Sequence, residues 1–526
     1  MAGSIPPVCG HGLFYRIPGR LRQTEQDTQM AALGRRNLST VPALAALLAL
    51  GVGCQTAPPA PDRSTVGSQL SQRFDQTIPA RALPEHLVMP PGASFDDGIT
   101  EDEAIVIALW NNAAFQELLV DLGVARGDLV QAGLLPNPEF IYLFGTPDKP
   151  FKYLLDFPLE SLWLRPIRVK SATREAARVA DRLAQGGLDL IRDVRQSYAD
   201  VLLAHARLSV AREGVKLRGR VAELAQKRLE AGDISLAEAA TARIDSFQAQ
   251  QDLARVEFDV PVAEERLRNL MGTGPLRGSL PLDPLKPPGP LQIDPDALTD
   301  EAMANRPDAL AAAEAVDAAL ARLRFAKIGW VRLLGVIDST SGRKSGHELG
   351  PGLRFTVPVF NVNQGNIARA EAELERARRN QETVAYQIIL DVQRSNLQFQ
   401  QAHAELAVLQ TKVRPEVEAA ISRAQVAYQE GHITIFVVLE TTRQLLDTHL
   451  LEARLRADLR RFWAELERSV GRRLAGTESE GPIRTQAGER ELAQPAPPPK
   501  SDLPAPKPLP PMENGGLSAP AEGKPE

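Results

Sequence analysis

The residue types that carry catalysis or metal binding occur in this sequence, but not at spacings that would let them act together. His347 and Glu348 could begin the zinc-protease motif H-E-x-x-H, yet the position of the second histidine holds a proline. The nucleophile elbow G-x-S-x-G and the Walker phosphate loop do not occur in the sequence. Cys9 and Cys54 are the only cysteines, so a disulfide framework and a thiolate zinc site are excluded after Cys54. We therefore predict a protein that is not an enzyme and has no cofactor and no metal site.

Cys54 is instead predicted to be acylated with lipid, because it lies at the end of a predicted signal peptide. Arg35 and Arg36 give a positive start, and the apolar stretch 41–52 that follows is shorter than the about 20 residues of a membrane-spanning helix. The small residue Gly53 directly precedes Cys54, as in a lipoprotein signal. The alternative is a secretory signal with an incidental cysteine.

Composition and charge exclude another class of function. The chain has 61 basic and 66 acidic residues, for a net charge of −5, and the two signs are interspersed along its body. A nucleic-acid-binding protein would concentrate basic residues on one surface. We therefore predict no nucleic-acid partner.

A set of matching residues recurs after 199 positions and predicts an internal repeat. Gly232 matches Gly431, and Gly272 matches Gly471. Further pairs keep the same register: Ile234/Ile433, Ala254/Ala453, Arg255/Arg454, Asp259/Asp458 and Leu267/Leu466. The chain is thus predicted to contain two halves with one plan, each with a helix, two strands and a long helical hairpin.

Composition sets the predicted boundaries of these parts. We expect the segment before Met30 to come from a start codon assigned too early. The Pro- and Ala-rich stretch after Cys54 predicts a flexible tether, and the Pro-rich end of the chain predicts disorder. The predicted parts are an upstream extension with signal peptide 1–53, a lipid-anchored tether 54–98, a first repeat 99–279, a linker 280–294, a second repeat 295–472 and a tail 473–526.

Apolar residues spaced alternately by three and four predict the long helices. This spacing runs from Ile191 to Leu208 and again from Ile388 to Val413, and it indicates a coiled-coil seam between two helices. A helix of about 60 residues would be about 90 Å long, which favours a rod or tube over a compact domain.

Alternating aromatic and polar residues predict the strands. The segments 138–145, 151–159 and 353–360 each place apolar side chains on one face. Their length suits a transmembrane β-strand of about 9–11 residues, although soluble sheets alternate in the same way.

The combination of these segments resembles the TolC-like outer-membrane factor family over residues 100–471. The segments that carry the resemblance are ARGDLVQAGLLPNPEF, ANRPDALAAAEA and FTVPVFNVNQGNIARAEAELERAR, together with the hairpin tips LEAGDIS and YQEGHIT. The segment from FPLES to PIRVKSATREA resembles the heavy-metal branch, whose pumps belong to the RND class, more than the toxin-secretion branch.

The resemblance implies a mainly α fold with transmembrane β-strands. Each chain would give four strands to the 12-stranded barrel of a homotrimer, and its long hairpins would form a barrel-like tunnel in the periplasm. The protein would be lipid-anchored in the outer membrane of a Gram-negative bacterium. It would act as a passive export duct, driven by an inner-membrane pump through a periplasmic adaptor (membrane fusion protein).

The resemblance also implies two sites. Glu440, nine positions after Gly431, would belong to the periplasmic aperture, where Val437 replaces a second acid. The adaptor would dock on the two hairpin tips, which are Gly232, Asp233, Ile234 and Ser235 in the first half and Gly431, His432, Ile433 and Thr434 in the second. A solvated surface glutamate and ordinary helix capping are the alternatives for these residues.

Three other functions remain open from the sequence alone. The first is a lipid-anchored periplasmic coiled-coil scaffold or adaptor without a pore, and the second is a duct for type I secretion. The third, a periplasmic enzyme, is disfavoured because no catalytic constellation occurs.

Overall fold

The computed structural model describes residues 59–81, 87–95, 98–145, 151–276, 278, 280–284, 288–289, 294–342 and 346–474, with the backbone alone for 341–342 and 346–348. Its helices are α1 (Arg63–Phe74), α2 (Glu101–Asn111), α3 (Ala113–Gly133), α4 (Ser161–Glu230), α5 (Leu236–Met271), α6 (Pro295–Asn305), α7 (Pro307–Ile328), α8 (Gln364–Val408), α9 (Arg414–Gln429) and α10 (Ile435–Val470). Its strands are β1 (Glu139–Leu143), β2 (Lys152–Pro158), β3 (Leu333–Gly342) and β4 (Gly346–Phe355). The same order of elements, two helices, two strands and a long hairpin, thus occurs twice.

The long hairpins follow the predicted seams over most of their length. In α4 the seam residues Ile191, Val194, Tyr198 and Val201 are buried, whereas the predicted seam position His205 is exposed. In α8 the buried seam runs from Ile388 through Val392, Phe399 and Leu406. Packing of these stripes against the return helices α5 and α10 holds each hairpin together.

Backbone geometry explains why the chain reverses at the tips. Gly232 and Gly431 both have φ of 82°, a left-handed conformation that glycine adopts without the Cβ clash of other residues. Ser235 then begins α5 with a capping box, in which its hydroxyl accepts from the Glu238 N–H and the Glu238 carboxylate accepts from the Ser235 N–H. In the second half Thr434 precedes α10 in extended conformation without a side-chain cap.

Three prolines lie in the hairpin helices, and the first of them, Pro166, lies near the start of α4. Pro261 lies inside the continuous helix α5. Pro415 lies in the first turn of α9, directly after a π-helical turn at Leu409–Val413 that separates α9 from α8. A missing N–H and a widened turn are known causes of helix bending, and the second hairpin has both at this point.

The four strands form one antiparallel sheet in the order β1-β2-β3-β4. The strand predicted at 353–360 is wrong in its second part, because β4 ends at Phe355. Phe355 pairs with Leu333, the first residue of β3, so the chain beyond it loses its partner strand. Pro358 further along has no N–H to donate to a ladder.

The flexible tether predicted for 54–98 is also corrected by the structure. Residues 63–74 form α1, whose Val66, Leu70 and Phe74 are buried in the core. Leu70 packs against α4 where Gly187 lacks a side chain, and Gln69 donates a 2.9 Å hydrogen bond to the Asp181 carboxylate. The segment after α1 adds Ile78 and Met89 to the same cluster, so this part of the chain belongs to the folded body.

Buried charges join the two halves near the middle of the hairpins. Arg195 of α4 is 4% exposed and is paired with Glu467 of α10, which is fully buried. Glu101 and Asp102, in the first turn of α2, lie 3.8 and 4.0 Å from the same guanidinium. Burial raises the pKa of Glu101 and lowers that of Arg195. Each of these two groups therefore depends on the charge of the other to remain ionised.

Among the described helices, none is by itself long and apolar enough to cross a membrane. The pair α2 and α3 meets that length and composition, but the two helices are bent by 50° relative to each other. Residues Ala104 to Leu109 of α2 are buried in the protein core, which accounts for their apolar character.

Candidate functional site

The sheet has one apolar and one charged face. Alternation along the paired strands places Phe140, Tyr153, Leu155, Ile337 and Leu353 on the apolar face. The aromatic rings on this face contact one another, with centroids of Tyr142 and Tyr153 5.0 Å apart, and several are exposed. Exposed aromatic residues on one face of a sheet indicate a surface that contacts lipid or protein.

Two cross-strand ion pairs lie on the opposite face. Lys152 of β2 and Asp338 of β3 are 2.8 Å apart. Arg354 of β4 reaches across β3 to Asp156 of β2, whose carboxylate is buried. This face is therefore polar but close to neutral in charge.

The helices continue the sheet as a layer with two free edges. Helix α4 lies in the middle of this layer, with α3 and α5 on one side and α7 and α10 on the other. Helix α8 packs on α7 and α10. Large apolar side chains are exposed at both edges, Phe247 and Phe258 on α5 and Tyr386 and Leu397 on α8. Such unpartnered side chains at the layer edges are suited to contact another protein surface.

The two hairpin tips lie against each other through Arg228 of α4 and Tyr428 of α9. The Arg228 guanidinium is 4.7 Å from the centroid of the Tyr428 ring and donates a 2.8 Å hydrogen bond to the Tyr428 carbonyl oxygen. Below this contact Val221, Ile435 and Val438 form a buried cluster that both hairpins share. The tips therefore form one unit, which the sequence analysis missed, although Arg228 and Tyr428 stand four and three residues before the tip glycines.

The residues predicted for adaptor docking form the turns of this unit. Ile234 and Ile433 are half-buried against the shared cluster, whereas Asp233, His432 and Thr434 are exposed. Asp233 lies 3.8 Å from Arg228. The exposed turn residues of both hairpins thus lie at the same end of the layer and could contact a partner together.

Glu440, the predicted aperture residue, is exposed on the first two turns of α10. Its carboxylate is 3.8 Å from Arg443 and accepts a 3.4 Å hydrogen bond from Gln444. Val437, one turn earlier, is exposed on the same helix. Glu440 is therefore free to face an opening but is partly neutralised by Arg443.

Cys54, the predicted lipidation site, lies outside the described residues.

No group of three or more histidine, cysteine, aspartate or glutamate side chains in the described ranges could hold a metal ion. Two of the histidines on the hairpins each have a single acidic neighbour instead. His205 lies 3.7 Å from Glu264, and His449 lies 3.2 Å from Glu213.

Long helical hairpins below a sheet with one aromatic face define the class of the outer-membrane channel components of efflux systems. The chain belongs to the outer membrane efflux protein family, whose profile matches residues 155–273 and 298–472. The resemblance found in the sequence is thereby confirmed, and the chain is an outer-membrane protein.

Two members of this family are similar to the chain in sequence. The cobalt-zinc-cadmium resistance protein CzcC of Cupriavidus metallidurans is 25% identical over 369 residues, covering 67% of this chain and 85% of CzcC. The cation efflux system protein CusC of Escherichia coli K12 is 25% identical over 290 residues, covering 53% of this chain and 61% of CusC.

Solved structures confirm the fold. A crystal structure of CusC aligns with a TM-score of 0.60 at 20% identity, covering 76% of this chain and 99% of that one. The outer membrane protein VceC of Vibrio cholerae aligns with a TM-score of 0.60 at 17% identity, covering 71% and 96%. Mainly helical architecture with a four-stranded antiparallel sheet is thus common to these proteins and this chain.

Proposed function

We propose that the chain is the subunit of a homotrimeric export channel whose 12 strands close a barrel in the outer membrane. The observation that carries this proposal is the sheet with an apolar and a charged face and two unpaired edges, β1 and β4. Unpaired strand edges cannot be left in hydrocarbon, and four strands are too few to enclose a channel. Joining β4 of one copy to β1 of the next removes every edge.

The helical layer supports the same arrangement. The edge with β1 has exposed apolar residues on α3 and α5, and the edge with β4 has them on α8. A rotation that joins the strand edges also brings these two helical edges together. Such a head-to-tail contact closes a ring when a whole number of equal rotations adds up to a full turn. For three subunits each rotation is 120°.

We further propose that the channel is passive and belongs to a tripartite system. An inner-membrane pump would supply the energy, and a periplasmic adaptor would contact the exposed turn residues at the tips, Gly232–Ser235 and 431–434. The names of CzcC and CusC favour metal cations as the exported substrate. A strain lacking this gene should then become sensitive to cobalt, zinc or cadmium rather than to organic drugs alone.

Conductance and mass test the central proposal together. Native mass spectrometry of the full protein in detergent should give a trimer, and the same sample should produce discrete conductance steps in planar bilayers. The resting aperture is expected to be narrow, so a variant with a loosened tip should be measured beside the wild type. A monomer that never inserts would instead support a lipid-anchored scaffold without a pore.

The contact between Arg228 and Tyr428 provides that variant. Arg228→Ala removes a charge-assisted hydrogen bond and a cation–π contact, together about 1–3 kcal/mol. If the paired tips form the closed state, this loss should raise the open probability about tenfold or more in single-channel recordings. Lys227→Ala is the matched control, because Lys227 is an exposed neighbour with no ion pair in the described structure. Equal open probabilities in the two variants would contradict a role of this contact in closure.

Glu440 is proposed as one of three carboxylates at the aperture. Glu440→Gln should reduce the preference for cations over anions, roughly by half at low salt and by less at high salt. The measurement is the reversal potential in a KCl gradient. Asp447→Asn is the control, since Asp447 lies on the same helix and also approaches Arg443, at 3.9 Å. A similar change in both variants would assign the effect to Arg443 or to overall charge.

We also propose that the chain contains two repeats, at 99–279 and 295–472. A further proposal is that Cys54 is the acylated first residue of the mature chain. The intact mass of protein extracted from the outer membrane should exceed that of the chain from Cys54 by the mass of the attached lipid. Cys54→Ser should abolish that excess. A mature chain that begins at another residue would contradict the proposal.

A further inference from the structure

A cavity of about 330 Å³ lies where α4, α5 and α10 meet, about midway along the hairpins. Helix α4 contributes Asp200, Leu203, Ala204 and Arg207 to its lining, α5 contributes Asp259, Val262, Ala263 and Arg266, and α10 contributes Arg454, Asp458 and Arg461. The cavity therefore has four arginines and three aspartates around it.

These charges do not cancel one another locally. Arg461 is held by two of the aspartates, because it donates hydrogen bonds to Asp200 and, at 2.5 Å, to Asp458. In the part of the chain that the structure describes, Arg207, Arg266 and Arg454 have no carboxylate oxygen within 4.0 Å. Three unpaired guanidinium groups thus border a single cavity.

The remaining acid at the cavity, Asp259, lowers its positive charge only in part. Asp259 is exposed and has no cation within 4.0 Å among the described residues. The four arginines and three aspartates of the lining leave the cavity with a net charge of +1, and the three arginines without a carboxylate partner are available to a ligand. Guanidinium groups bind carboxylates in a planar, two-point geometry.

The floor of the cavity is apolar. Leu203 and Ala204 are each 5% exposed and form this floor, and the half-buried Ala263 and the exposed Val262 continue the apolar surface on α5. A ligand that fills this space must present hydrocarbon to the floor and negative charge to the rim. An inorganic anion would satisfy the rim and leave the floor uncovered.

We propose that this cavity binds small organic carboxylates with an apolar body. All residues that line the site belong to one chain, and the site involves neither the membrane nor the exported substrate. Its ligand class differs from the metal cations that the names of the relatives suggest.

Benzoate is a suitable probe, with benzyl alcohol as its uncharged counterpart and inorganic phosphate as an anion without an apolar body. Titration calorimetry of the full protein in detergent should detect benzoate binding, with benzyl alcohol and phosphate at least about tenfold weaker. A charge-assisted hydrogen bond contributes enough for Arg454→Gln to weaken benzoate binding about five- to tenfold. Binding should also weaken as salt concentration rises.

The repeat provides a matched control for Arg454. Arg255 occupies the equivalent position in the first half, but its side chain is 77% exposed and lies 3.7 Å from Asp252 outside the cavity. Arg255→Gln should leave benzoate binding unchanged. Asp259→Asn should strengthen binding severalfold, because it raises the net positive charge of the cavity, and general damage to the fold would not produce such a gain.

Several outcomes would overturn the proposal. The Arg454 and Arg255 variants could weaken binding equally, or benzyl alcohol could bind as tightly as benzoate. Phosphate that binds as tightly as benzoate would exclude the amphiphilic ligand class. Undetectable benzoate binding by the wild type at low salt would exclude the site.

Discussion

Replacing Arg195 with methionine is expected to lower the free energy of unfolding by about 3–5 kcal/mol, because it leaves the buried carboxylate of Glu467 without its cation. Glu467 is fully buried and has Arg195 as its ion-pair partner, and Glu101 and Asp102 also approach this guanidinium. Burial already raises the pKa of Glu101, so the loss of the nearest positive charge should favour its protonated form further.

The measurement is the denaturant dependence of the helical circular dichroism signal of the detergent-extracted protein. Arg379→Met is the control, since Arg379 also pairs with two glutamates but its side chain is 70% exposed, and surface pairs contribute about 0–1 kcal/mol. The double variant Arg195→Met with Glu467→Leu should recover part of the loss, because neither of those two positions then holds a buried charge. Similar destabilisation by Arg195→Met and Arg379→Met would show that the buried cluster does not hold the two halves together.

Local patterns in the sequence predicted the hairpins, because each long helix repeats its apolar stripe many times and each tip has a glycine that must adopt positive φ. The stripe from Ile388 to Leu406 and the tips at Gly232 and Gly431 were correct for this reason. Residues 63–74 were misjudged because their Pro- and Ala-rich surroundings dominated the composition. The capping box of Asp62 and Thr65 was a local signal that could have identified α1.

Contacts between distant segments could not be predicted from spacing. Strand β3 is not among the segments predicted from alternation, because its second half has polar residues and its pairing with β2 and β4 determines its limits. The same holds for the contact of Arg228 with Tyr428 and for the pair of Arg195 with Glu467, which join residues about 200 or more positions apart. Only the packing of one half on the other brings these side chains together.

The second large prediction concerns the two faces of β2: the same substitution at two neighbouring residues should have unequal effects. Leu155 lies between Phe140 and Ile337 on the apolar face of the sheet. An arginine there would face lipid, at a cost of about 2–4 kcal/mol near the bilayer midplane. Leu155→Arg should therefore reduce the amount of assembled protein in the outer membrane about tenfold or more.

Leu154→Arg places the same side chain on the opposite face, where Leu154 pairs with Asp338 of β3. That face already contains the ion pairs of Lys152 with Asp338 and of Arg354 with Asp156, so an added arginine finds both water and a carboxylate. We expect assembled protein within about twofold of the wild type, as judged by quantitative blotting of outer-membrane fractions. Equal loss in both variants would mean that the sheet is packed on both faces, and equal tolerance would mean that neither face contacts lipid. Only an unequal response fits a strand with lipid on one side and an aqueous channel on the other, because the two substitutions share their chemistry and their position along the strand.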